Sequence, residues 1–115
     1  MGSLDDSRRT VASMSVTLCV WLWAHDGRAA ELGSYEDRVL QLLPDHGAHL
    51  VHRVRGQGGT SDPLEVHLID FPSEAALDAY LNDHRRVVLQ SERDAAVART
   101  ELFRVIREEL PPPAA

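Results

Sequence analysis

The chain has 115 residues, 43% of them hydrophobic and 26% charged, which is the size and balance of one small globular domain and leaves no room for a second. A formal net charge of −6 argues against a surface that binds nucleic acid by counterion release. All 12 basic residues are arginine, so chemistry that needs a lysine Schiff base is excluded.

The opening stretch MGSLDDSRRTVASMS is polar and small, without the apolar core of a signal peptide, and residues 1–13 are expected to be a flexible tail. VTLCVWLWA, residues 16–24, is rich in β-branched and aromatic residues and predicts a central strand. Its apolar run is far shorter than the ~20 residues of a membrane span, so neither a membrane nor export is expected, and a lone Cys19 without a partner fits the cytoplasm. From 26 to 43 the positions Leu32, Tyr35, Val39, Leu42 and Leu43 recur at steps of three and four, the stripe of an amphipathic helix; Ser34 with Asp37 offers an alternative start as a capping box.

Pro44 to Gly47 end that helix, and HLVHRVR, residues 49–55, predicts a second strand. The glycine-rich GQGGTSDP reads as a turn, and LEVHLIDF, residues 64–71, as a third strand forming a hairpin with the second. Ser73 is a good N-cap for a helix with Leu77, Tyr80, Leu81 and His84 on one side, interrupted near Asn82 and Asp83. Helical composition continues over 85–99, and ELFRVIR, residues 101–107, predicts the last strand. The PPPAA end cannot continue a helix or central strand, which places a domain at 14–108 and a flexible tail at 109–115.

The order β-α-β-β-α-β implies an α+β, ferredoxin-like fold: a four-stranded antiparallel sheet with both crossover helices on one face. On the first strand Val16, Leu18, Val20 and Leu22 form one aliphatic row, and Thr17, Cys19, Trp21 and Trp23 the other. Both rows call for cover, and one layer of helices supplies only one, so a homodimer packed through its sheets is expected.

Three segments, SYEDRVLQLLPDHGAHLVHRVRG, PLEVHLIDFPSEAALDAYLND and RDAAVARTELFRV, carry a resemblance that covers residues 16–106. With their F-P-S-E-A-A-x-x-A-Y strand-to-helix entry at Phe71 to Tyr80, they resemble the dimeric α/β-barrel superfamily of antibiotic-biosynthesis monooxygenases, related cyclases and decarboxylases. The resemblance is closest to an uncharacterised branch. It implies fold more than chemistry, and no residue set here matches the catalytic positions of a characterised member, so no catalytic role is carried over.

Candidate chemistry therefore comes from the residues. His46, His49 and His52 have the step-of-three spacing of helical metal ligands, but Pro44 and Gly47 disfavour a helix and a strand would put His49 and His52 on opposite faces; solvated histidines are the better reading, and no metal is expected. On the third strand Glu65 and His67 share a face, and Leu64, Val66 and Leu68 form the apolar row expected to pack on the helices. That would turn Glu65 and His67 to the other face, with Trp21, Trp23 and Arg53. A carboxylate beside an imidazole fixes its tautomer and readies it as a general base, with Arg53 steadying enolate charge and the indoles stacking on a flat ligand. The competing explanations are polar contacts across a dimer interface for Glu65, His67 and Arg53, and core filling for Trp21 and Trp23. His84 near the helix break and His25 after the first strand are candidates to close the ends of a pocket. Cys19, Tyr35 and Tyr80 read as core. Arg85, Arg86, Arg93, Arg99, Arg104 and Arg107, interspersed with acids, read as solvated faces.

No GxGxxG, Walker, GxSxG or HExxH motif is present. The expected function is a small-molecule enzyme without a bound cofactor, a monooxygenase or cyclase acting by acid/base chemistry on an aromatic or polyketide-like metabolite. The alternative is a non-enzymatic homodimer that binds a small hydrophobic ligand or supports a partner protein.

Overall fold

A computed structural model describes residues 15–114; the expected tail at 1–13 lies outside them. Strand β1 (Val16–Ala24) matches the sequence reading. Helix α1 (Ala29–Leu40) follows, then a short 3-10 turn (Leu43–His46) ended by Gly47, whose φ of 69° is a left-handed conformation suited to glycine. Strands β2 (His49–Arg55) and β3 (Glu65–Phe71) form the hairpin. The last part comprises α2 (Glu74–Leu81), α3 (His84–Val87), α4 (Gln90–Ala96) and β4 (Val97–Val105).

Local chemistry accounts for several boundaries. Ser73 caps α2 by accepting from the Ala76 amide at 3.1 Å, and Asp83 caps α3 through Arg85 N–H at 2.9 Å, so the break expected at Asn82 and Asp83 is a new helix start. Helix α1 begins without a side-chain cap at Arg28, so the Ser34 capping box is not used. Strand β4 starts earlier than the expected residue 101, because Ala24 pairs with Val97 across a register shift beside Trp23.

The sheet order is β2-β3-β1-β4, with all neighbours antiparallel, the ferredoxin-like arrangement. Strand β2 carries an irregularity between Leu50 and His52, where two residues of β2 advance against one of β3.

The core lies between sheet and helices in two clusters. Val16, Leu18, Ile69 and Phe71 pack with Leu40, Leu43, Leu77 and Tyr80; Leu22 packs with Leu32, Tyr35, Val39, Ala96 and Val97. Val20 touches both clusters, and its partner across the sheet is His67. The aliphatic row of β1 is thus the helix-facing row, and β3 meets it with Glu65, His67, Ile69 and Phe71.

That register corrects the expected facing of β3. Val66 and Leu68 do not pack on the helices: Val66 lies opposite Trp21 and Leu68 opposite Cys19, on the sheet's other face, while Leu64, just before the strand, packs against the helix-side cluster of Leu22, Leu32 and Tyr35. Ile69 and Phe71 decide the matter, since burying both of these large side chains commits every second residue of the strand to the same side.

Candidate active site

Because of this facing, Glu65 and His67 are each 1% exposed, under the helices. A buried carboxylate is tolerable only when its lone pairs are met by donors, and Glu65 has four. Its Oε1 accepts from Arg53 Nε at 2.8 Å and from His67 Nε2 at 2.7 Å; its Oε2 accepts from Arg53 Nη2 at 3.1 Å and Arg55 Nη2 at 3.0 Å. Burial by itself would raise the Glu65 pKa, but the hydrogen bonds from His67 and Arg53 outweigh it and hold the carboxyl down to about 2. Arg53 is held in turn by Asp37 at 2.6 Å and by the Gly33 carbonyl at 3.3 Å, and its hydrogen bond to Glu65 raises its own pKa further.

Gly33 explains how α1 comes so close. A Cβ there would stand 2.9 Å from Arg55 Nη2, so the missing side chain leaves room for the guanidinium beside the helix.

A carboxylate that is ionised at neutral pH can only accept, so His67 Nε2 carries the hydrogen, and whenever the ring is neutral its lone pair is on Nδ1. Nδ1 lies 3.8 Å from Oε1 of Glu36, a second carboxyl that is 7% exposed. Burial raises the Glu36 pKa, and the nearby charges of His67 and Arg86 offset this only in part. Two carboxyls thus flank one imidazole in opposite conditions, Glu65 fixed as an anion and Glu36 biased toward its acid form.

His67 and Glu36 line a cavity of about 110 Å³ between sheet and helices. Its walls are otherwise mostly aliphatic and aromatic, from Leu18, Val20, Leu40, Ile69, Phe71 and Leu77, with Arg86, Arg93 and Thr100 as further polar groups. Leu102, also in the lining, is 47% exposed, so the cavity reaches the surface beside β4. Arg93 Nη2 donates to Thr100 Oγ1 at 2.8 Å.

The structure brings together the expected trio of His67, Glu65 and Arg53, but gives Arg53 a different surrounding from the one expected. Its guanidinium is engaged with Glu65, Asp37 and Gly33 and does not line the cavity; it positions Glu65. Trp21 and Trp23 lie on the opposite face of the sheet, stacked edge-to-face with each other at 6.2 Å, and Trp23 Nε1 donates to the Ser61 carbonyl at 3.1 Å. His25 and His84 are exposed and neither lines the cavity. The three spaced histidines are dispersed, His46 to Asp83 at 2.7 Å, His49 toward Asp70 at 3.5 Å, and His52 to the surface.

Sequence reasoning missed Glu36, Arg55, Arg86 and Arg93. Glu36 had a readable signal, since it stands four residues after Leu32 and three before Val39, inside the apolar stripe of α1. Arg86 and Arg93 belong to a run of arginines interspersed with acids, and nothing in their spacing separates these two from the solvated ones.

No family model matches the sequence, and no curated protein matches it. Solved structures do. Over 86% of this chain and 99% of the other, the fold superposes on SnoaB, a cofactor-independent oxygenase from Streptomyces nogalater, with a TM-score of 0.63 and 19% identity. A dabb family protein with a ferredoxin-like fold from Mesorhizobium loti is similar over 83% and 98% of the two chains, with a TM-score of 0.61 and 15% identity. A dimeric protein of unknown function and ferredoxin-like fold from Bacteroides fragilis is similar over 79% and 94%, with a TM-score of 0.62 and 9% identity. The chain shares the ferredoxin-like fold. These neighbours are of the kind its sequence resembles, and at such identities the likeness is one of fold.

Proposed function

We propose that this protein is a small-molecule enzyme that works by acid/base chemistry, without a bound cofactor, on an aromatic or polyketide-like metabolite held in the cavity between helices and sheet. The observation that carries this reading is the buried His67, tied at Nε2 to an ionised Glu65 and lining a largely apolar cavity. His67 Nδ1 takes a proton from a carbon of the substrate beside a carbonyl or phenol, and Glu65, braced by Arg53 and Arg55, stabilises the imidazolium that forms. Glu36, whose pKa is raised by burial, lines the same cavity and is the group placed to return a proton. In an oxygenase the resulting carbanion itself reduces dioxygen; in a cyclase or isomerase it attacks a carbon of the same molecule. The fold likeness to a cofactor-independent oxygenase supports the first course.

The reading includes a cytoplasmic homodimer packed through the open sheet face, where Trp21 meets Phe103 edge-to-face at 5.6 Å and Phe103 is 42% exposed. The apolar walls of the cavity also suit a non-catalytic binder of a small hydrophobic ligand. The deciding experiment screens phenolic and 1,3-diketone aromatic compounds for oxygen uptake or product absorbance with the protein and with His67→Ala. Turnover lost with binding retained is the result expected. Binding without turnover by the unaltered protein, or equal turnover by the variant, overturns the catalytic reading.

A further inference from the structure

Arg86 carries a polar group that the fold does not use. Its Nε is buried and has no hydrogen-bond partner among the described residues, and the side chain lines the same cavity as His67 and Glu36. A buried guanidinium N–H without an acceptor is costly, and native structures seldom leave one unmet. The side chain is also held in place, because the guanidinium stacks over the Tyr80 ring at 4.6 Å, and Tyr80 is anchored by its hydroxyl donating to the Val39 carbonyl at 3.1 Å. The Arg86 charge acts on Tyr35, Glu36 and Tyr80, but among the described residues it has no ion-pair partner within 4.0 Å. Burial pushes the Tyr80 phenol up to about 12 despite the opposing effect of Arg86, so it stays neutral.

We propose that Arg86 anchors an acidic oxygen of the ligand, so that the compound bound here is an aromatic acid whose ring enters the cavity and whose carboxylate or phenolate oxygen accepts from the Arg86 guanidinium. The proposal rests on the cavity being the ligand site and adds the class of ligand. A guanidinium presents parallel N–H groups that meet a carboxylate in a forked, charge-assisted pair. A cavity of about 110 Å³ is of the order that takes one ring, since an engineered apolar cavity of about 150 Å³ holds benzene. The rest of a larger molecule would leave past the half-exposed Leu102. In this pose the acidic oxygen is held at the Arg86 end while the ring lies against the apolar residues, leaving a neighbouring carbon for His67.

The test uses benzoate and, as an uncharged counterpart of similar size, benzyl alcohol, titrated at neutral pH by calorimetry and by the shift of His67 ring signals in NMR. Benzoate is expected to bind at least about 10-fold more tightly than benzyl alcohol, the scale of a charge-assisted hydrogen bond. Arg86→Met should abolish that preference while leaving benzyl alcohol affinity within about 2-fold, and Arg104→Met, at an exposed ion pair with Glu74, should leave both affinities unchanged. Arg86→Lys keeps the charge without the forked edge and is expected to lose most of the preference, which covers the case that Arg86→Met does not fold. If benzyl alcohol binds and shifts His67 but benzoate binds no better, the Arg86 anchor is wrong and the cavity reading stands. If neither compound binds, both fall.

Discussion

The two faces of this sheet solve the same burial problem in opposite ways. Under the helices, β1 and β3 set Leu18, Leu22, Ile69 and Phe71 beside a polar layer of Glu65 and His67, and the layer is tolerated because the hairpin supplies two arginines to the carboxylate. On the other face, Trp21, Trp23 and Phe103 form an edge-to-face aromatic row with no helix above it among the described residues. Charge is buried where the chain can partner every lone pair, and aromatic surface is left where a second surface can complete it. The first face carries a hydrogen-bonded polar cluster beside a cavity, and the second presents a partly exposed aromatic row.

The comparison breaks most visibly at Glu65. Replacing it by Gln leaves Arg53, Arg55 and His67 facing a neutral amide, and removal of one partner from a buried ionic cluster costs about 3–5 kcal/mol. The lower end is expected because Arg55 is half exposed and can swing into water. For a domain of this size that is a fall in Tm of roughly 10–20 °C, read by thermal and urea unfolding; a loss below about 1 kcal/mol would show that the cluster does not hold the two layers together. The same residue gives the fold an acid limit. Its folded pKa of about 2 lies below the unfolded 4.5, so the unfolded chain takes up the proton first, and the stabilisation present above pH 4.5 drains away as pH falls from there toward 2. Glu65→Gln should lack this portion of the acid sensitivity.

Trp21→Ala tests the other face. At the centre of a sheet-to-sheet dimer it should cost about 2 kcal/mol of association, roughly 30-fold in the dimer constant, measured by sedimentation equilibrium. A protein that sediments as a monomer before any substitution would remove the dimer from the reading. Glu36→Gln is the smallest expected effect and has the opposite sign. Burial raises the folded pKa of Glu36 above its unfolded value, so its contribution is full at acid pH and is lost as pH rises through the folded pKa. The amide should therefore stabilise the fold at neutral pH, by about 0.5–2 kcal/mol, with the gain shrinking toward pH 4. A variant less stable at neutral pH would show that Glu36 is held as an anion.

Most of the architecture was legible in the sequence, because its signals are local: the β-branched and aromatic run of β1, the Ser73 cap, the glycine-rich hairpin. What failed was the facing of β3. Taken over 64–68, the apolar residues Leu64, Val66 and Leu68 look like the buried row. Carried on to 71, that row meets Asp70, whereas Glu65 and His67 lead into Ile69 and Phe71. Two buried polar residues misdirected the shorter window, and they are the two on which the candidate site depends. The site was legible as a pair, Glu65 with His67, plus Arg53. Of its remaining members, Arg55 shares a strand face with Arg53 and Glu36 lies within the apolar stripe of α1, whereas Arg86 and Arg93, from α3 and α4, meet the pair only through the crossover packing, which no spacing along the chain reveals.

The irregularity in β2 between Leu50 and His52 has a bearing on how this constellation can be altered. In an unbroken ladder, Leu50 opposite Ile69 would put Arg53 opposite Val66, with both guanidiniums on the aromatic side. The single additional residue rephases the strand so that Arg53 faces His67 and Arg55 faces Glu65. The charge balance beneath the helices therefore depends on a count of residues as well as on their identities. Deleting Val51 alone would remove the additional residue and keep Arg53 opposite His67 and Arg55 opposite Glu65 in an unbroken ladder, whereas deleting Val51 and His52 together would turn both counter-charges to the aromatic side of the sheet.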